Sequence, residues 1–368
     1  MQVPVKLMLD HAKEKGYMLS RFLITNLESI EALTNAAKAK DSPFLYDIYF
    51  PLMEKSCLSC VEELAKKFIS EIDLPSGLFA DHVESVDLCI KAIDRGYSGV
   101  MVDLSKLSLI ENISGTKEVV DYAHKKGVFV EGEVGVITRS SAEEVVETDP
   151  EQAKEYIAKT GVDCLAISIG VHSGFYEGEP VINYNLIRQL SNLGAHLCLH
   201  GASGLSREVM QRCILLGMHV TGYGTDPLFK YFGKIDEIRK REGSRFVDPS
   251  RIIIPARDEM QKEIEEKISY IKSEGQAREI ISLYKNLSRN QDLPVNSLSK
   301  AGEKDKLQTL ACAAGSIIEA NNKNACSGSC LTSVNANICE SNKNDDFTEK
   351  LIKDITNEVL KRINTKQV

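Results

Sequence analysis

The chain has 368 residues, 43% hydrophobic and 27% charged, a globular composition with room for one large domain or a few smaller ones. With 45 basic and 53 acidic side chains its net charge is −8, which argues against a general nucleic-acid surface. No apolar run reaches the ~20 residues that cross a bilayer. Lys6, Asp10, Lys13, Glu14 and Lys15 leave no signal-peptide core. A cytoplasmic protein without a membrane partner is expected, its cysteines mostly free thiols.

Apolar β-rich runs at 19–25, 43–49, 77–80, 98–103, 128–134, 163–170, 196–200 and 218–223 predict eight strands. Amphipathic stretches at 27–39, 56–70, 84–95, 114–126, 150–160, 183–193 and 205–216 predict helices between them. This alternation implies parallel strands with crossover helices. Eight such units predict an α/β fold, a (β/α)8 TIM barrel, over residues 1–285. An open doubly wound sheet is the alternative, weakened because no Gly-rich fingerprint follows the first strand.

Residues 286–345 form an Asn/Ser/Lys-rich, Cys-containing linker, expected to be largely disordered, with a short apolar helix over 306–320. Residues 346–368 read as an amphipathic C-terminal helix. Phe347, Leu351, Ile352, Ile355, Val359, Leu360 and Ile363 share one face, and Asp346 with Glu349 resembles a capping box. That face needs the barrel, another chain or another protein as partner. Cys57 and Cys60 form a single CxxC pair. Cys312, Cys326, Cys330 and Cys339 read as free thiols or a metal set without a familiar spacing.

In such a barrel, chemistry sits at the C-terminal ends of the strands. These ends carry Asn26, Asp81, His82, Asp103, Glu133, His172, His200, Thr225 and Asp226. Three imidazoles from separate strands suit a catalytic zinc with one open position, which can polarise a carbonyl oxygen. Asp81 beside it suits proton abstraction next to that carbonyl. The HGASG run at 200–204, before a helix, suits an anion. His11, His124, His196 and His219 lie elsewhere and read as structural or surface residues.

From about residue 5 to 275 the sequence resembles the class II, metal-dependent fructose/tagatose-bisphosphate aldolases. The resemblance rests on GYMLSRFLITNLE at 16–28, FADH at 79–82, SGVMVDLSKLSLIENISGTKEV at 98–119 and FVEGEVG at 129–135. It continues through TDPEQAKEYIAKTGVDCLAISI at 148–169, LCLHGASG at 197–204 and VDPSRIIIPARDEM at 247–260. It implies a TIM barrel, a homo-oligomer and a small carbonyl substrate. It also implies Asp81 as catalytic base, His82 and His200 as zinc ligands, and Asp103 and Glu133 as acids lining the metal site. Asn26, Gly174, Glu177, Gly201, Ser203, Thr225 and Asp226 are the candidate substrate and anion-binding set.

Several positions depart from the family pattern. The family's third zinc histidine directly precedes a glycine; here His172 comes one place early and Ser173 takes that slot. On a strand the shift reverses the side chain, whereas a bulge restores it, and His172 is the expected third ligand. Glu177 follows Tyr176 where the family has Lys. Gly222 and Leu23 replace asparagines, Tyr49 a serine, Ala202 a glycine, and Gly224 a polar residue. These losses surround one phosphate pocket and point away from a ketose bisphosphate. The expected protein is a C–C lyase using Zn2+ or another divalent metal, working through a metal-stabilised enolate on a changed substrate. The alternatives are an ordinary fructose- or tagatose-bisphosphate aldolase and an inactive scaffold or sensor.

Overall fold

The computed structural model describes residues 1–53, 58–135, 146–176, 178 and 180–290. Eight strands form from the β-rich runs: β1 Leu19–Leu23, β2 Phe44–Tyr49, β3 Ser76–Val83, β4 Gly99–Val102, β5 Phe129–Val134, β6 Cys164–Ile167, β7 His196–Leu199 and β8 Met218–Tyr223. Each pairs in parallel with the next, and β8 returns to β1 with Thr221 opposite Ser20, closing a barrel in sequence order. The TIM barrel is thus the fold, and the open sheet is not.

The helices begin and stop where local chemistry demands. Over Pro150–Thr160, Asp149 accepts the Gln152 N–H at 2.9 Å, Pro150 occupies the first position and Gly161 ends the helix at φ 71°. Beyond β8 run helices Thr225–Glu242, Ser250–Tyr270 and Ala277–Asn290. The middle one packs on both Thr225–Glu242 and Leu27–Lys40 and sends Lys267 back toward the barrel mouth. No helix among the described residues is long and apolar enough to cross a membrane.

The barrel interior is layered by the two-residue period of its strands. Leu19, Leu45, Phe79, Met101, Phe129, Cys198 and Val220 belong to one apolar cluster. Two residues further along the chain, on these strands or just past their ends, stand Arg21, Asp47, Asp81, Asp103, Glu131, His200 and Gly222. An oily floor therefore gives way, within one pleat, to a buried polar layer beneath the mouth.

The described residues all belong to one compact unit. Helix Ala277–Asn290 carries through position 285. The expected helices at 306–320 and 346–363, Cys57, Cys312, Cys326, Cys330, Cys339 and Glu177 lie outside the described residues.

Candidate active site

Asp81 and His82 are neighbours on β3, and regular alternation would turn them to opposite faces. A register shift between Ala80 and Val83 interrupts the pairing with β4, and His82 takes a left-handed φ of 50°. This non-glycine strain has a consequence: both side chains line the same cavity.

Each imidazole is oriented from behind by a carboxylate. His82 Nδ1 is 2.8 Å from Asp103 Oδ2, and Ser105 Oγ donates to the other Asp103 oxygen at 2.7 Å. Glu133 lies 3.8 Å from the same nitrogen. Burial opposes a charge on His82, but the Asp81 charge, the Asp103 hydrogen bond and the Glu133 charge outweigh it and push its pKa up to about 9. The Nε2 of His82 is left facing Asp81 Oδ2 at 3.9 Å. His200 Nε2 lies 3.0 Å from Glu131 Oε1 and 3.1 Å from Arg21 Nη2. Burial works against the Glu131 charge, yet Arg21 and then His200 hold its pKa down at about 2. An ionised Glu131 accepts a hydrogen bond from His200 Nε2–H, which leaves Nδ1 with the lone pair. Burial lowers the pKa of His200, so the ring stays neutral, as a metal ligand must be.

Arg21 is fully buried and donates to Glu131 through both Nη atoms, at 3.2 and 3.3 Å. Its guanidinium stacks on Phe79, 4.2 Å from the ring centre, and Nη2 lies 3.6 Å from Asp81 Oδ1, an oxygen that accepts no hydrogen bond. Asp47 is also buried, and burial together with the nearby Asp81 holds its acid well above the usual carboxylate range.

The donor set fits a divalent cation. One atom from each of Asp81, His82 and His200 falls within 4.8 Å of the others, and all three residues are buried. His82, Asp103 and Glu133 form an adjoining group. Asp47, Asp81, Asp103, Glu131 and Glu133 are all buried here, beside Arg21 and a His82 whose raised pKa reports the same excess of acid. Such an excess of buried acid calls for a compensating cation.

His172 is not in these groups. β6 ends at Ile167, so the residue sits in the loop beyond, where strand alternation no longer applies. Its Nδ1 is 3.0 Å from the Ser173 carbonyl and its ring packs on Tyr176 at 4.4 Å. The Tyr176 hydroxyl accepts from the His172 N–H at 3.3 Å and donates to the Gly201 carbonyl at 2.6 Å, tying this loop to the 200–204 turn. Ser173 and Gly174 line the cavity instead.

The cavity holds about 280 Å³. Asp81, His82, Gly174, His200, Gly201, Ser203 and Thr225 line it. Asp103 and Glu133 stand behind. Asn26 serves as the N-cap of helix Leu27–Lys40, accepting the Ser29 N–H at 2.9 Å. Asp226 braces the turn: it accepts the Gly204 N–H at 3.0 Å and meets Lys267 at 2.6 Å. The altered positions Leu23, Tyr49, Ala202, Gly222 and Gly224 all line this one cavity. No lysine or arginine lines it among the described residues. Arg21, Asp47 and Glu131 escape a reading of strand ends because they sit in mid-strand; their signal is a charge inside an otherwise apolar run.

Known proteins agree with this architecture. The sequence model of the family described as fructose-bisphosphate aldolase class-II matches residues 3–276. A fructose-bisphosphate aldolase of Geobacillus stearothermophilus is 32% identical over 285 residues, 75% of this chain and 98% of that one. One from Staphylococcus aureus is 28% identical over 284 residues, 75% and 99% of the two chains. The crystal structure of the YdjI aldolase from Escherichia coli K12 superposes with a TM-score of 0.68 at 26% identity, covering 75% of this chain and 100% of that one. Barrel, bulged Asp-His pair and matched sequence converge: this chain belongs to the class II fructose-bisphosphate aldolase family and is an aldehyde-lyase.

Proposed function

We propose that the protein makes or breaks a carbon–carbon bond beside the carbonyl of a small ketose, with a divalent metal, and that this ketose is not a bisphosphate. The observation that carries the reading is Asp81, with an oxygen free of hydrogen bonds, beside two imidazoles in a cavity whose described lining holds no lysine or arginine. His82 and His200 would hold the metal, zinc being the first choice for nitrogen and oxygen donors. When bound, it supplies Lewis-acid polarisation of the substrate carbonyl.

The remaining work falls to the chain. Asp103 and Glu131 fix ring orientation and keep one nitrogen of each imidazole turned to the cavity. Asp81 takes a proton from the carbon next to the carbonyl in the condensing direction and returns it in the cleaving direction. Gly201 and Ser203 in the 200–204 turn, with Thr225, orient the far end of the substrate. Tyr49, Tyr223 and Leu228 also line the cavity. A homo-oligomer acting in the cytoplasm belongs to the same proposal, with the C-terminal helix as an added contact.

An ordinary bisphosphate aldolase is the second reading, favoured by the relatives' names and by the retained anion turn. The deciding experiment incubates the zinc-loaded full chain with fructose 1,6-bisphosphate and with unphosphorylated ketoses, following aldehyde release. Cleavage of an unphosphorylated ketose and failure on the bisphosphate is the expected result. Efficient turnover of the bisphosphate would replace the first reading with the second.

A further inference from the structure

The floor of the cavity carries a feature the family resemblance does not supply. Gly222, on β8, replaces a side chain and opens a gap toward the buried layer. The nearest atoms that a Cβ built there would meet are Arg21 Nη2 at 3.7 Å, Arg21 Nε at 3.9 Å and Asp47 Oδ2 at 3.9 Å. Asp47 lines the cavity, is 4% exposed, and its Oδ1 has no hydrogen-bond partner. A buried carboxyl with an unpaired oxygen is costly, and Asp47, whose Oδ2 is the oxygen beside the gap, is where a ligand group can complete the network.

We propose that the gap beside Gly222 is a subsite for the terminal hydroxymethyl group of an unphosphorylated ketone, and that Asp47 reads its hydroxyl. The inference rests on the lyase reading above and narrows its substrate class.

Three observations select a hydroxyl. A hydroxyl both donates and accepts, so it pairs with Asp47 whether that acid is charged or neutral. A phosphate there would meet Asp47 and, close by, Asp81. Arg21 is the nearest cation, but Glu131 engages both its Nη atoms and Asp81 lies 3.6 Å from Nη2. One guanidinium thus already answers two carboxylates. An apolar end group would leave Asp47 Oδ1 desolvated and unpaired.

The test uses three ketones sharing one reacting end and differing at the other: dihydroxyacetone, hydroxyacetone and dihydroxyacetone phosphate. Exchange of the hydrogen next to the carbonyl in D2O is followed by NMR with the zinc-loaded full chain. Sites built around a substrate hydroxyl discriminate against analogues lacking it. Dihydroxyacetone is therefore expected to show a KM about tenfold or more below the other two. Asp47→Val is expected to erase that preference over hydroxyacetone, mainly through KM, and Asp47→Asn to keep most of it. Gly222→Ala, which fills the gap at ordinary contact distances, is expected to erase it with Asp47 intact, and it carries the test should Asp47→Val fold poorly.

Exchange by the wild type with a preference that survives both Asp47→Val and Gly222→Ala would overturn the subsite alone. Faster exchange of the phosphate would do the same. Absence of exchange with every ketone, zinc content being full, would overturn the lyase reading and the subsite together.

Discussion

His82 Nδ1 and Asp103 Oδ2 stand 2.8 Å apart, and this contact settles which nitrogen of His82 is left for the cavity. The carboxylate accepts a hydrogen bond from Nδ1–H and leaves Nε2 for a cation. Asp103→Asn replaces a charged acceptor with an amide and weakens that hold. Loss of such an outer partner typically costs 10–100-fold in metal affinity. Chelator competition on the purified variant should show a fall of about that size, and affinity equal to wild type would assign the orientation of His82 to Glu133 instead.

Arg21 and Glu131 form the other support, deeper and dry. Removing one partner of a buried pair strands the other charge, at a cost of about 3–5 kcal/mol. Urea unfolding of Arg21→Met should show a loss in that range. The double variant Arg21→Met, Glu131→Met should recover part of it, because two apolar side chains strand nothing. A double variant no better than the single one would mean that Asp47 and Asp81 depend on Arg21 as much as Glu131 does.

The barrel was legible because each strand repeats an apolar side chain every second residue, and each run is bounded by a helix-period stretch. Asp81, His82 and His200 stood out as imidazoles and acids at strand ends. Arg21 and Glu131 did not, because a charge in mid-strand looks like a solvent-facing position in a single sequence. Only closure of the barrel brings β1 against β5 across 110 residues. The bulge at His82 was equally hidden: strict alternation sends it away from Asp81, and nothing in FADH announces a left-handed φ. The position of His172 was not legible either: the strand expected over 163–170 ends at Ile167, which puts His172 in a loop whose path strand alternation does not set.

His172→Ala and Ser173→His separate those two readings of the loop. Ser173 lines the cavity and the ring of His172 rests on Tyr176. Zinc affinity should therefore change by no more than about twofold in His172→Ala. An imidazole at 173 would add a ligand, and even 1.4 kcal/mol from it is tenfold, so affinity should rise by at least about that factor. A large loss in His172→Ala, with the fold intact by circular dichroism, would make His172 the third ligand after all.

A pH effect on stability is expected at the opposite end of the barrel. His219 is buried, its ring 5.3 Å from that of His196, which is 3.0 Å from Asp10. Burial first, then the charges of His196 and Lys13, lower its pKa from 6.5 to about 4. Between those values the unfolded chain binds a proton that the folded chain refuses, so acid favours unfolding. The contribution is intact above about pH 6.5, shrinks as pH falls and is gone near pH 4. The gap is worth roughly 3 kcal/mol at most. His196, also lowered by burial, acts in the same direction. Urea midpoints of wild type and His219→Gln, compared at pH 7.5 and pH 5, check this. The wild type should lose more stability on acidification than the variant, and equal losses would place the acid sensitivity elsewhere.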